Sequence, residues 1–406
     1  MKIRSITGFF DPGWPFDPQA FKAISKCLHD CRKKLISAGY DVQTMRVATP
    51  PPAEMSNPVQ PGSRVELASN LEAEAFVHEI DYAAVGPALP HDLDGFLTIP
   101  DMLAATQNVF TSAIYADPES GLSLSAARAC AEVIHKVSSI SPDGFTNLRF
   151  AALVNVPAGV PFFPAAYHRT GTPSLAIATE AANLAITATQ DAASVADIRN
   201  RLVQGIEDQA TTVAQITDRI CREHAVRFLG VDFSLAPYPE DLRSIGTAIE
   251  ALGPPKMGQP GSLSAIAFLA DCLDEALFMR TGFCGLFLPV LEDTILAKRA
   301  AEGHLSVYDL LLYSTVCGTG LDTIPLAGDV TPGTIATLLI DLGALGLRHH
   351  KPLTARLLPI PGKKAGDDVH FDFPYFSDCK VMDLYAEPLS GVLGGDETID
   401  IGPHTH

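Results

Sequence analysis

Apolar residues along this chain repeat with two different periods, and each change of period marks a change of element. Residues 3–7 and 42–48 carry short apolar, β-prone runs. Between them Phe21, Ile24, Leu28, Cys31 and Leu35 recur at helical spacing after Asp17-Pro18, until Gly39 stops the run. The pattern predicts further strands over 82–86, 108–115, 148–156, 226–234, 284–290, 322–326 and 353–360. Residues 148–156 are apolar almost throughout, as in parallel strands buried on both faces. From Thr172-Pro173 a small-residue helix is predicted, with Glu180 among alanines.

The longest periodic run, 194–224, repeats through Val195, Ile198, Leu202, Ile206, Ala210, Val213, Ile216 and Ile220. At 1.5 Å per residue it would span roughly 40 Å, enough to cross a wall of the fold or to pair with a second subunit. Another helix is punctuated by Thr331 as cap and Pro332 in its first turn, with Ile335, Leu338, Leu339, Leu342 and Leu345 on one stripe. Nine strands alternating for the most part with helices predict an α/β protein built on a parallel sheet or barrel. No repeat or linker divides the chain, so the expectation is one domain over 1–390 and a C-terminal tail over 391–406.

Composition narrows the function classes. Hydrophobic residues make up 47% of 406, ample for a large core, and the formal charge is −18 from 47 acids and 29 bases. A field of that sign opposes nucleic-acid backbones and anionic membrane surfaces, so neither is expected as a partner. The start, Met1-Lys2-Ile3-Arg4-Ser5-Ile6, has no apolar export segment, and eight scattered cysteines do not resemble a secreted disulfide framework. A cytoplasmic protein with free thiols is expected.

Chemistry concentrates where charge interrupts apolar strands. Asp232 lies inside VRFLGVDFS and Arg356 inside LTARLLPI, and an uncompensated buried charge is costly enough to require a partner or a ligand. Glu292, Asp293, Asp322 and Asp329 stand at or near strand ends. Of these, Asp293 suits a helix start and Asp329 a turn. Cys317 sits in Val-Cys-Gly-Thr-Gly, where flanking glycines permit close approach of a ligand, although a helix C-terminus does not activate a thiol. Lys363 and Lys364, between Gly362 and Gly366, could cradle an anion, and His168 on a long loop could serve as a base.

Other chemistries lack their motifs. There is no dinucleotide fingerprint after the first strand, no phosphate-binding Walker loop and no nucleophile elbow. Cys27, His29 and Cys31 do not share a helix face or find a fourth ligand, so no metal site is expected.

Five stretches carry a family resemblance: 156–164 (VPAGVPFFP), 282–293 (GFCGLFLPVLED), 313–322 (YSTVCGTGLD), 353–366 (LTARLLPIPGKKAG) and 374–382 (PYFSDCKVM). They resemble uncharacterised protein family 0210, also called domain of unknown function 711. The resemblance implies the ten-stranded α/β barrel of the pyruvate formate-lyase-like superfamily, with half-barrels running in opposite directions, and is compatible with a homodimer. It implies no reaction. Glycyl radical chemistry is not carried over, because residues 390–396 lack the arginine-valine-x-glycine stretch and no two cysteines are adjacent.

The resulting expectation is an enzyme acting on a small anionic molecule, or else a non-catalytic ligand-binding protein. Asp232, Cys317, Asp322 and Arg356 should converge on one cavity, with Lys363 and Lys364 at its rim.

Overall fold

A computed structural model describes residues 1–169 and 171–404. Its principal strands are β1 (Lys2–Phe9), β2 (Val42–Ala48), β3 (Tyr82–Ala84), β4 (Val109–Asp117), β5 (Gly121–Ser123), β6 (Phe150–Val154), β7 (Ser174–Glu180), β8 (Arg227–Asp232), β9 (Gly320–Ala327) and β10 (Leu353–Ile360). Three two-residue strands follow, β11 (Asp368–Val369), β12 (Cys379–Lys380) and β13 (Thr398–Ile399). The helices are α1 (Pro18–Ser37), α2 (Arg64–Val77), α3 (Leu93–Ala105), α4 (Leu124–Ser138), α5 (Ala182–Thr189), α6 (Val195–Glu223), α7 (Ile245–Ala251), α8 (Ser262–Glu275), α9 (Thr294–Ala301), α10 (Val307–Tyr313) and α11 (Pro332–His349).

One large, mostly parallel sheet runs in the order β8-β7-β1-β2-β3-β4-β6-β10-β9. Strands β1, β2, β3, β4 and β6 are mutually parallel. So are β7 with β8 and β9 with β10, and the two groups meet antiparallel at β1/β7 and β6/β10. The free edges of β8 and β9 face one segment, 280–289. Isolated parallel bridges join Val231 to Arg280, Leu235 to Leu286 and Pro289 to Asp322. The strand expected over 284–290 is therefore present only as single bridges. Pro289 has no amide to donate and Cys284 has a φ of 44°, so a continuous ladder is interrupted at both ends.

The predicted helix after Thr172-Pro173 is instead strand β7 followed by the short α5. Local helix propensity in SLAIATE yields to position: β7 lies between β1 and β8, which hydrogen-bond both its edges.

Both faces of the sheet are buried. On the outer face Ile3, Ile6 and Val47 join a core with Phe21, Ile24 and Leu28 of α1. Asp17 caps α1 by accepting from the Gln19 amide at 2.9 Å, and the helix lies so close to β1 that a Cβ on Gly8 would stand 2.6 Å from Ile24 Cγ1. The stripe of α6 is spent within the chain, on α1, α5, α8 and β8, burying Ile198, Leu202, Ile206, Ala210, Val213 and Ile220 while Val195 stays exposed. On the inner face Phe9, Ala48, Ala84, Phe110 and Ala176 pack against Phe163 and Ala166 of the loop before β7. Near the C-terminus β13 pairs antiparallel with β5, and the Arg348 guanidinium donates to Gly402 O at 3.1 Å. None of the described helices is long and apolar enough to cross a membrane.

Candidate functional site

Within the inner face lies a cavity of about 100 Å³, reached by Arg4, Arg46, Asp232, Glu292, Asp322 and Arg356. Irregularities in the strands aim these side chains. The β1/β7 register shifts between Ile3 and Ser5, leaving Arg4 as the extra residue. The β9/β10 register shifts between Ala355 and Leu357, and Thr323 adopts a φ of 44°, so Asp322 comes to face Arg356. Bulges of this kind redirect side chains that strict alternation would separate.

The charges form an alternating string. Arg356 Nε donates to Asp322 Oδ1 at 2.6 Å and Arg356 Nη2 to Glu292 Oε1 at 2.9 Å. Arg4 bridges the other oxygen of Glu292 to Glu180, which also receives Arg243 and Gln43. The six members Arg243, Glu180, Arg4, Glu292, Arg356 and Asp322 alternate in sign and cancel. Burial pushes the Glu292 carboxyl up, but Arg4 and Arg356 outweigh it and hold its pKa below the ordinary value. For Asp322, at the end of the string, burial is the largest influence; together with the neighbouring charge of Glu292 it outweighs Arg356 and the Thr323 amide, and the pKa is raised. Asp322 Oδ2 has no hydrogen-bond partner among the described residues.

Arg46 stands outside this string. Its Nε donates to Thr44 Oγ1 at 2.9 Å, its guanidinium lies 5.0 Å from the ring centre of Phe163 and 5.7 Å from that of Tyr82, and no described carboxylate pairs with it. Burial and the repulsion of Arg4 lower its pKa to about 10, which leaves it charged at neutral pH.

Asp232 reaches the cavity wall but is fully engaged. It accepts from Ser234 Oγ at 2.5 Å, the Phe283 amide at 3.0 Å and the Cys284 amide at 2.9 Å, thereby fastening segment 280–289 to the end of β8. Burial outweighs these donors and raises its pKa. Gly282 is required beside it, since a Cβ there would stand 2.2 Å from Asp232 Oδ2.

Four residues singled out in the sequence thus meet, Asp232, Glu292, Asp322 and Arg356; Cys317, Lys363, Lys364, His168, Asp293 and Asp329 lie outside the cavity lining. Cys317 is buried in the core, and its flanking glycine serves packing: a Cβ on Gly318 would stand 2.6 Å from the Cα of Gly285. Lys363 and Lys364 are exposed, the latter's amide donating to Asp367 in a turn. His168 is buried, its amide bonded to Thr49 O at 3.0 Å, and burial lowers its pKa. Asp293 caps α9 through the Ile295 and Leu296 amides at 2.9 and 3.0 Å, as its position predicted.

The sequence reading passed over Arg4 and Arg46. Both interrupt strands, the same signal that singled out Arg356. It was weaker here because polar neighbours, Ser5 and Thr44, make those strands read as half-exposed.

The family model described as "Uncharacterised ACR (DUF711)" matches residues 1–377. The chain belongs to this family. A UPF0210 protein of Pyrobaculum islandicum is 32% identical over 350 residues, covering 81% of this chain and 76% of its own. One from Oleidesulfovibrio alaskensis is 30% identical over 384 residues, covering 90% and 83%. One from Methanococcoides burtonii is 28% identical over 354 residues, covering 82% and 77%. The five stretches that resemble this DUF711 family each contribute to the cavity wall, through Phe162, Glu292, Asp322, Arg356 and Tyr375 respectively among stretches 156–164, 282–293, 313–322, 353–366 and 374–382.

Proposed function

We propose that the protein is an enzyme that binds a small anionic molecule in this cavity and moves a proton on it without radical chemistry. One observation carries the reading. Arg46, a cation with no carboxylate of its own, and Asp322, a carboxyl group with one oxygen free, line the same cavity. Arg46 would hold the negative group. Asp322, protonated more readily than an ordinary carboxyl, would exchange a proton at Oδ2 while Arg356 steadies the charge on Oδ1. Asp232, saturated by three donors, would position the wall and take no proton.

That saturation also favours a second reading, a ligand-binding protein without turnover. The two separate by experiment: short hydroxy, oxo and amino acids are incubated with the protein in deuterated water and followed by proton NMR. The enzyme reading expects deuterium at one carbon-bound position of a ligand, lost in Asp322→Asn. Binding with no exchange of carbon-bound hydrogen for any ligand would select the non-catalytic protein.

Three coarser properties complete the proposal. The bridges from 280–289 to both free edges support a closed, ten-stranded barrel whose halves run in opposite directions, as in pyruvate formate-lyase-like proteins. Eight unbridged cysteines support a cytoplasmic location. The exposed apolar side chains Leu277 and Met279, beside α6, support a homodimer. Light scattering at micromolar concentration tests the last point, and a monomer would reject it.

A further inference from the structure

The charge arithmetic of the cavity limits what it can hold. Arg4, Arg243 and Arg356 are committed to carboxylates and Asp232 to three hydrogen-bond donors, which leaves Arg46 as the cavity cation without a carboxylate partner among the described residues. Neither terminal nitrogen of Arg46 has a hydrogen-bond partner among the described residues, while Tyr82 and Phe163 lie against the guanidinium. What stays open is its edge, the fork that matches two oxygens of one carboxylate. A phosphate group, with about −1.5 to −2 charges at neutral pH, would exceed what one guanidinium balances.

Volume sets a second limit. The cavity, about 100 Å³, is roughly two-thirds of the ~150 Å³ apolar cavity known to accept benzene. Its remaining walls are largely carbon: Tyr82 and Phe110 meet edge-on at 5.3 Å, Phe110 and Phe163 at 5.4 Å, and Phe162 and Phe287 at 5.1 Å. Such walls suit a short carbon skeleton and desolvate whatever charge enters.

We infer that the cavity takes a short-chain monocarboxylate of about three to six non-hydrogen atoms, its carboxylate forked on the edge of Arg46 and its other end against Asp322. The inference rests on the anion-binding part of the proposed function and names its substrate class.

The probes are propanoate, 2-hydroxypropanoate, benzoate and inorganic phosphate, added at constant ionic strength and read by thermal denaturation and isothermal titration. The two short carboxylates should raise Tm saturably, while benzoate and phosphate leave it unchanged. Arg46→Met should lose the response. Arg46→Lys, which keeps the charge but not the fork, should melt like wild type and bind at least tenfold more weakly. Should the methionine variant fail to fold, the lysine variant carries the test, and undiminished affinity in it overturns the assignment. So does stabilisation by phosphate or benzoate alone, or no response to any probe. The catalytic reading fails separately: a wild type that binds short carboxylates through Arg46 yet exchanges no carbon-bound hydrogen of any short hydroxy, oxo or amino acid would refute that reading and leave this inference standing.

Discussion

Arg356 serves two carboxylates at once, and Glu292 serves two arginines, so neither can be removed without stranding a buried charge. Glu292→Gln should cost about 3–5 kcal/mol in urea unfolding, the usual penalty for breaking a buried pair from one side. The pH dependence should separate the two acids. Glu292, with a lowered pKa, contributes stability that is present above the ordinary carboxyl value and lost as pH falls through the lowered one. Asp322 has the opposite sign. Its folded form binds the proton more tightly than the unfolded chain, so stability falls as pH rises from the ordinary value through the raised one. Asp322→Asn, which resembles the protonated acid, should match wild type at acid pH and gain on it as pH rises. Urea midpoints across that range check the slope, and parallel curves for the two proteins would contradict the assignment.

At the scale of elements, segment 280–289 holds its place by two devices. Asp232 grips its turn through two amides, and Gly285 crosses Gly318 so closely that neither position tolerates a side chain. Gly318→Ala should therefore destabilise the protein by about 1–3 kcal/mol through overpacking alone, measured as a shift in denaturant midpoint at constant slope. Cys317→Ser next to it, by contrast, should leave binding of short carboxylates unchanged, because the thiol lies in the core and outside the cavity. Asp232→Asn should speed hydrogen exchange at the Phe283 and Cys284 amides before it affects any other part of the sheet.

Across the whole molecule the thiols report on packing. Seven of the eight cysteines are buried and Cys284 is half-buried, with burial pushing its pKa up to about 12. A maleimide or aromatic disulfide reagent should label at most one thiol slowly in the native state at neutral pH and all eight in denaturant. Rapid native labelling of several cysteines would show that the packed inner and outer layers open together.

The sequence by itself determined the local elements and the cost of particular charges. Period, caps and strand runs placed α1, α6, α11 and most strands, because the apolar stripe of an element must meet a core wherever that core lies. Asp322 and Arg356 were legible as site candidates because a charge in an apolar strand demands compensation in any fold. Only the tertiary structure decided which partner each charge found. Arg4, hidden among polar neighbours, pairs with Glu292 more than two hundred positions away, while Arg46 comes to rest against Phe163 without a carboxylate among the described residues, and bulges at Ile3–Ser5 and opposite Arg356 turn side chains that simple alternation would point elsewhere. The same level of structure made a strand of 174–180, sent Cys317 into the core, and left Lys363 and Lys364 in solvent. Hydrogen bonds from β1 and β8 and a glycine crossing are contacts between distant segments, and no local pattern of residues encodes them.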